Sequence, residues 1–254
     1  MKRPGLLLYG VLAYIAFNLA FLYMLGFLLE LPFLNAVNDG PVGSIAYAIA
    51  VNTGLVFLFG FFHSLMARAR FKAWWTQIIP ADAERSTFVM QSALFLGLAI
   101  WQWQPIPATI WAVDGAVAWF AYAVFLLGVA LVLVSTFLID HFELFGLRQI
   151  WSANTARAMS KPKFRVPFLY RFVRHPMQLG VILLLFATPH MTVGHLLFAG
   201  LMTLYVLIGL WFEERALVRE FGAVYRAYQN QVPRLVPRMT PLSHAQIRTF
   251  ATAW

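Results

Sequence analysis

The chain contains no cysteine, and only 11% of its 254 residues carry a charge. The absence of cysteine excludes disulfides, thiolate nucleophiles and cysteine-bound metals, so any thiol in the chemistry belongs to a substrate. Soluble domains usually have about 25% charged residues, whereas 61% of these residues are hydrophobic. Several uncharged stretches reach the roughly 20 residues that a helix needs to cross a bilayer. The composition therefore predicts an integral membrane protein.

Apolar segments of helical length predict an all-α fold, a polytopic membrane bundle of about five to six transmembrane helices. The six segments are 6–29, 42–66, 87–103, 116–139, 177–189 and 193–212. The first is longer than the 7–15-residue core of a signal peptide, so we expect it to be a retained span. The fifth reaches only about 20 Å as a helix. The fifth and sixth are therefore expected to form a short, tight helical hairpin.

Basic residues alternate with the apolar segments. All 19 lysines and arginines lie at the N-terminus or in 67–86, 140–176 and 213–254, and the intervening loops hold none. Because cytoplasmic loops are enriched in lysine and arginine, this pattern places both termini and the two long basic loops in the cytoplasm. The same alternation argues against nucleic acid as a partner.

No linker to a soluble domain is evident, so we expect 1–254 to form a single membrane domain. Within it, 1–139 would be an N-terminal four-span region and 140–176 a cytoplasmic loop. The remaining part, 177–240, would contain the hairpin and a cytoplasmic amphipathic C-terminal helix.

Polar residues collect at the expected cytoplasmic end of the hairpin. Arg174, His175 and Pro176 precede the fifth segment, and Glu213 and Glu214 follow the sixth. Ionisable residues at the end of a span are by default a functional hypothesis. Carboxylates and aromatic faces together suit a cationic, partly apolar ligand. The alternative for the helix after the sixth segment is an interfacial helix with arginines toward anionic headgroups.

Two motifs in this region resemble a known family. "RHPMQLG" at 174–180 and "EERALVREFGAVYRAYQNQVPRLVP" from 213 resemble the C-terminal signature of the isoprenylcysteine carboxyl methyltransferase family of membrane enzymes. "STFLIDHFELFGLRQIW" and "ATPHMTVGHLLFAG" are similar to its bacterial methanethiol S-methyltransferase branch. The resemblance implies an S-adenosylmethionine-dependent enzyme of the bacterial inner membrane with a cytoplasmic active site. It also implies a small thiol substrate, methanethiol, a dimethyl sulfide product, contact with membrane lipid and no obligatory protein partner.

The resemblance implies roles for individual residues. Gly180 would allow close helix approach, Arg174 would orient a carboxylate of the cofactor, and loss of Glu214 would abolish cofactor binding. Gln178 stands where the family usually has tyrosine. The predicted catalytic residues are Arg174, His175 and Glu214 from these motifs, together with His141 from its place after the fourth segment. The implied cofactor-binding residues are His175, Pro176, Gln178, Gly180, Glu213, Glu214, Tyr225 and Tyr228.

Four histidines admit two interpretations. His63, His141, His175 and His195 either form a metal site that binds a thiolate or are hydrogen-bonded histidines at helix ends. No HxxxH pair occurs, so we predict no metal ligand.

A second group of polar residues follows the fourth segment: Asp140, His141, Glu143 and Arg148. It is either a salt-bridge cluster beside the membrane or a wall of the substrate entrance, with His141 or Glu143 as the base. The stretch 204–212 is uncharged, whereas the prenylcysteine enzymes that the motifs resemble carry basic residues there. Because a carboxylate acceptor needs a counter-cation, this argues for a neutral or thiol acceptor. The alternatives are a lipid or prenylcysteine-type acceptor and a non-catalytic membrane binding or transport protein.

Overall fold

The structure is a computed structural model that describes residues 4–155, 164–243 and 245–247. Within these residues the chain forms α-helices that account for all six predicted apolar segments, which confirms the all-α membrane bundle. The helices are α1 Pro4–Leu28, α2 Ile45–Met66, α3 Ala69–Trp75, α4 Glu84–Trp101, α5 Gly115–Ile139, α6 His141–Leu144, α7 Leu147–Thr155, α8 Pro176–Phe186 and α9 Val193–Gln231. Two short 3₁₀ turns, Ala81–Ala83 and Phe168–Arg171, precede α4 and α8.

Four of the described helices are long and apolar enough to cross a membrane: α1, α2, α5 and α9. Their most apolar windows have a mean hydropathy of 2.0 to 2.6. The apolar helix α8 has 11 residues and is too short to span a hydrocarbon core of roughly 30 Å. The protein is therefore an integral membrane protein, in which α4 and α8 complete a bundle around the four long helices.

A small antiparallel sheet, which the hydropathy pattern did not predict, closes one end of the bundle. Strand β1, Thr109–Ala112, pairs with β2, His190–Thr192, in the link between α8 and α9. The indole Nε1–H of Trp111 donates to the carbonyl oxygen of Thr188 at 3.1 Å. We call the end of the bundle that carries β1 and β2 the strand end. The hairpin link therefore folds against the α4–α5 connection, and the entry to α8 lies at the opposite end.

The core is aromatic and aliphatic and lies between α1, α2, α4, α5, α8 and α9. Phe27, Phe125, Leu184 and Phe198 are almost completely buried in one cluster. The ring of Phe198 lies 5.4 Å from that of Phe27 and 5.2 Å from that of Trp103, both edge to face. These contacts fix the start of α9 against α1 and against the residues that follow α4.

Helices α5 and α8 pack at their glycines. A Cβ atom on Gly180 would lie 2.5 Å from the carbonyl oxygen of Gly128, and one on Gly128 would lie 2.7 Å from the carbonyl oxygen of Gly180. Only glycine permits this backbone approach, as in other small-residue contacts between membrane helices. The contact fixes α8, and with it His175, against α5.

The sixth span continues without a break past Phe212 as far as Phe221, and a second helical segment follows a kink at Gly222 and ends at Gln231. The backbone of α9 departs from helical geometry at Gly222, where φ is 58° and ψ is −128°. A positive φ is readily adopted only by glycine. Glu213 and Glu214 lie within the helical segment before this kink and not at the end of a helix.

Asn52 joins α2 to the residue after α4 by two hydrogen bonds. Its Nδ2–H donates to the carbonyl oxygen of Gln104 at 2.8 Å, and its Oδ1 accepts from the Gln104 N–H at 2.9 Å. The side chain is completely buried. Replacing it with leucine leaves both Gln104 groups unpaired, so we expect Asn52→Leu to lower the free energy of unfolding by about 1–3 kcal/mol.

Thermal unfolding in detergent measures this loss. Asn18→Leu is the matched control, since within the described residues the Asn18 side chain bonds only to the Tyr14 carbonyl of its own helix. This replacement should lower the free energy of unfolding by less than about 0.5 kcal/mol. Equal stability of the two variants would show that the Asn52 bridge contributes nothing.

Candidate active site

The site is built where the chain after α9 returns to the entry of α8. Pro233 and Pro237 prevent continuation of the helix, and residues 232–242, which we call the C-terminal strap, run back along residues 171–175. The Arg174 N–H donates to the Pro233 carbonyl at 3.0 Å and the His175 N–H donates to the Arg234 carbonyl at 3.2 Å. The strap therefore fixes the backbone of the Arg-His-Pro motif.

Glu214 is the centre of the polar cluster. Its Oε1 lies 2.9 Å from Arg174 Nε and 3.1 Å from His175 Nε2, and its Oε2 accepts from Arg234 Nε at 3.1 Å and from Arg234 Nη2. Only 5% of its side chain is exposed. A buried carboxylate is stable only when it is paired and hydrogen-bonded, and here three cationic or hydrogen-bonding partners surround it.

Arg174 joins the motif to the end of α9. Its Nη1 donates to the carbonyl oxygens of Gln229 at 2.7 Å and Val232 at 2.9 Å. An arginine that binds the last carbonyls of a helix satisfies acceptors that lack an intrahelical partner. The Arg174 guanidinium therefore links the motif before α8 to the C-terminal end of α9. The role implied for it toward a cofactor carboxylate stays a prediction.

Glu213 occupies the open side of the cluster. Its side chain is 46% exposed, and its Oε1 lies 3.9 Å from His175 Nδ1. Gln178 Nε2 donates to Glu213 Oε2 at 3.3 Å. The glutamine that replaces the family tyrosine thus contacts the more accessible of the two carboxylates.

Pro176 and Gly180 set the position of α8. Pro176 is the first residue of the helix, where its fixed φ fits and its missing N–H costs nothing. Gly180 makes the close approach to Gly128 described above. Both residues support the site through the backbone.

Tyr225 and Tyr228 lie in a separate small core beneath the cluster. Both side chains are buried with Val166, Val224, Val232 and Leu242. The Tyr228 hydroxyl donates to the carbonyl oxygen of Tyr170 at 2.6 Å. These contacts brace the strap and the turn before the motif. A direct contact with a cofactor stays a prediction.

The structure places His141 in a different cluster. Its Nε2 lies 2.9 Å from the Tyr14 hydroxyl, its Nδ1 lies 2.8 Å from Thr136 Oγ1, and its ring stacks on Phe137 at 4.2 Å. Burial lowers the pKa of His141, and the nearby Asp140 carboxylate only partly opposes this effect. The ring is therefore neutral at neutral pH. A catalytic role for His141 stays a prediction, and its observed contacts tie α5 to α1.

The acidic residues around His141 form ion pairs. Arg148 Nη1 contacts Asp140 Oδ2 and lies 3.6 Å from Glu143 Oε2. Asp140 Oδ1 also accepts from the Glu143 N–H at 3.0 Å. This arrangement corresponds to the salt-bridge interpretation of the segment. Its use as a substrate entrance stays a prediction.

The four histidines of the possible metal site each have their own partner. His63 Nδ1 lies 2.9 Å from Ser92 Oγ, and His195 Nε2 lies 2.9 Å from the carbonyl oxygen of Leu185. His175 contacts Glu214, and His141 contacts Tyr14 and Thr136. In the part of the chain that the structure describes, no group of three or more metal-ligating side chains is arranged around a common point.

Arg234 is the site residue that sequence reasoning did not single out. It lies in the strap, within "VPRLVP", and 20 residues separate it from its partner Glu214. The signal available in the sequence was the pair of prolines around it. They turn the chain back toward the motif and carry this arginine with it.

Comparison with known proteins gives close relatives over nearly the whole chain. The chain is 46% identical to methanethiol S-methyltransferase 2 of Bradyrhizobium diazoefficiens, covering 93% of this chain and 92% of the relative. It is 44% identical to methanethiol S-methyltransferase of Mycobacterium tuberculosis, covering 93% and 98%. Human Nurim is 33% identical over 174 residues, which cover 64% of this chain and 65% of Nurim. No family model and no solved structure matches the chain.

The similarity to these relatives and the geometry of the motif residues point to the same family. An identity of 46% extends across the membrane helices as well as the motif region. The residues that carry the motif converge on one buried carboxylate, Glu214. The chain belongs to the methanethiol S-methyltransferase family of membrane enzymes.

Proposed function

We propose that this protein transfers a methyl group from S-adenosylmethionine to methanethiol and forms dimethyl sulfide. The observation that carries the proposal is the half-exposed Glu213 carboxylate beside the fully paired Glu214, in a chain similar to methanethiol S-methyltransferases over 93% of its length. Glu213 offers an accessible anion, while Glu214 fixes the surrounding side chains.

The donor set around Glu213 fits S-adenosylmethionine. Carboxylate oxygens accept hydrogen bonds from an ammonium group or from ribose hydroxyls. Glu213 and Gln178 would hold such groups, and His175 would form the neighbouring wall. When bound, the cofactor supplies a methyl group on a sulfonium centre. The side chains orient the reactants and keep water away, which can contribute roughly 7–11 kcal/mol to lowering the barrier.

The charge pairing favours a thiol acceptor over a carboxylate acceptor. A carboxylate would need a cation to offset its desolvation. Among the described residues, the two guanidinium groups that contact Glu214, those of Arg174 and Arg234, are already paired with that carboxylate. A small thiol needs no such partner and can enter from the apolar phase between the helices.

We further propose that the end bearing Glu214 faces the cytoplasm of a bacterial inner membrane. The basic loops and the strap lie at this end, and the positive-inside rule assigns it to the cytoplasmic side. The strand end would then face outward. This orientation gives the site direct access to a cytoplasmic cofactor pool.

The cofactor assignment predicts that Glu213→Gln weakens binding of S-adenosylmethionine by about tenfold, the effect of losing a hydrogen bond to a charged group. Isothermal titration of the purified protein measures the dissociation constant. Glu220→Gln is the matched control, because Glu220 is an exposed glutamate on the same helix and its loss should change binding less than about twofold. Equal affinity of Glu213→Gln and the wild type would remove Glu213 from the cofactor site.

A further inference from the structure

The contacts of Glu214 determine which nitrogen of His175 carries a proton. Glu214 lies between the guanidinium groups of Arg174 and Arg234, so it is an ionised carboxylate that can only accept hydrogen bonds. Its Oε1 lies 3.1 Å from His175 Nε2. Nε2 must therefore be the protonated nitrogen, and in the neutral ring the lone pair is on Nδ1.

His175 Nδ1 faces the open side of the cluster. It lies 3.9 Å from Glu213 Oε1, beyond hydrogen-bond distance, and has no hydrogen-bond partner within the described residues. His141 differs, because the Thr136 hydroxyl donates to the Leu133 carbonyl and so accepts from His141 Nδ1–H. The remaining nitrogen of His141 accepts from Tyr14. Of these two histidines, only His175 has a ring nitrogen available to take a proton.

Arg234 keeps Glu214 in this arrangement. Both its Nε and its Nη2 donate to Glu214 Oε2, which leaves Oε1 for His175. Its own backbone carbonyl accepts from the His175 N–H at 3.2 Å. A two-point contact of arginine with carboxylate fixes orientation as well as charge. Arg234 thus holds His175 in two ways: its side chain orients Glu214, and its backbone carbonyl binds the His175 N–H.

We propose that Arg234 is a positioning residue that, through Glu214, holds His175 with Nδ1 as the atom that accepts the thiol proton. The inference rests on the proposed function. In this step the S–H bond of methanethiol breaks, its electron pair stays on sulfur, and the proton bonds to Nδ1. The imidazolium is stabilised by Glu214, and its proton later passes to water. Overall the thiol loses one proton and gains one methyl group, which gives a neutral thioether. The electron pair of the broken sulfur–methyl bond would stay on the donor sulfur, which would also become a neutral thioether.

Two acceptors of different acidity test the inference. Methanethiol needs a base at neutral pH, because the thiolate is the nucleophile. Methaneselenol is largely ionised at neutral pH and needs none. We expect His175→Gln to lower kcat for methanethiol by about a hundredfold and kcat for methaneselenol much less. Retained selenol methylation also shows that the variant is folded and binds the cofactor.

Arg234→Gln should reproduce this pattern at a smaller scale, with about a tenfold loss for methanethiol. Arg234→Lys keeps the charge and should recover part of the activity. Arg238→Gln is the matched control, since Arg238 lies in the same strap and donates to the Gln231 carbonyl at 3.0 Å. It should leave both rates within about twofold of the wild type.

The outcomes separate the two proposals. If the wild type methylates neither acceptor, the proposed function fails. If the wild type methylates both, and Arg234→Gln lowers both rates equally or lowers neither, the positioning role is wrong while the proposed function stands. Equal losses in His175→Gln would show that Nδ1 is not the proton acceptor.

Discussion

Replacement of Glu214 with alanine should abolish methyl transfer and lower the free energy of unfolding by about 3–5 kcal/mol, the usual cost of removing one partner from a buried ion pair. The change leaves Arg174 with an unpaired guanidinium that is only 9% exposed. It also removes the acceptor that holds His175 Nε2. Both the stability of the strap and the geometry of the site depend on this one carboxylate.

Thermal unfolding and the rate of methyl transfer measure the two parts of this prediction. Glu220→Ala is the control, since it removes an exposed glutamate from the same helix. Glu214→Gln keeps the shape and loses the charge, so it should be intermediate in stability but inactive. A Glu214→Ala variant as stable and active as the wild type would contradict the role assigned to the cluster.

Replacement of Gly180 with leucine should prevent α8 from packing on α5. A Cβ atom at this position already lies 2.5 Å from the Gly128 carbonyl oxygen and 2.9 Å from Leu131 Cβ. A clash with backbone atoms cannot be relieved by a change of side-chain rotamer. We therefore expect the free energy of unfolding to fall by about 3 kcal/mol or more. Since His175 directly precedes α8, displacement of this helix should also lower the activity of the variant.

The control for this variant is Gly200→Leu. Gly200 is exposed on α9, and a Cβ atom there meets nothing within 4 Å. Leucine has the better helix propensity, by roughly 0.8 kcal/mol, so this variant should be at least as stable as the wild type. Comparable unfolding temperatures of the two leucine variants would contradict the close α5–α8 contact.

The membrane helices could be predicted because their signal is local. Apolar length and the alternation of basic loops identified the segments that became α1, α2, α4, α5, α8 and α9. The short link after α8 also predicted that His175 and Glu214 would be neighbours, and the structure places them 3.1 Å apart. Because the link between α8 and α9 is short, the start of α8 and the part of α9 that carries Glu214 must lie close together.

Contacts between distant segments could not be predicted in the same way. The pairing of β1 with β2 joins residues about 80 positions apart, and hydropathy carries no information about it. Arg234 reaches Glu214 after the chain has kinked at Gly222 and passed Pro233. The partners that occupy both nitrogens of His141 come from α1 and α5, so the sequence could not distinguish it from His175 as the base.

The sequence also could not distinguish the roles of neighbouring residues of the same type. Glu213 and Glu214 are adjacent, yet one side chain is 46% exposed and the other 5%. Successive side chains on a helix point about 100° apart. Glu214 therefore faces the buried cluster, and Glu213 faces its open side. Tyr225 and Tyr228 pack in a core that only the return of the strap creates.

The most direct test supplies the purified protein with S-adenosylmethionine labelled in its methyl group, together with methanethiol, and measures labelled dimethyl sulfide in the headspace. The proposed function predicts labelled product that increases with enzyme, and the assignment of His175 as the base predicts that His175→Gln forms it about a hundredfold more slowly at neutral pH. If the wild-type protein binds the cofactor and no labelled dimethyl sulfide forms, methanethiol is not its acceptor.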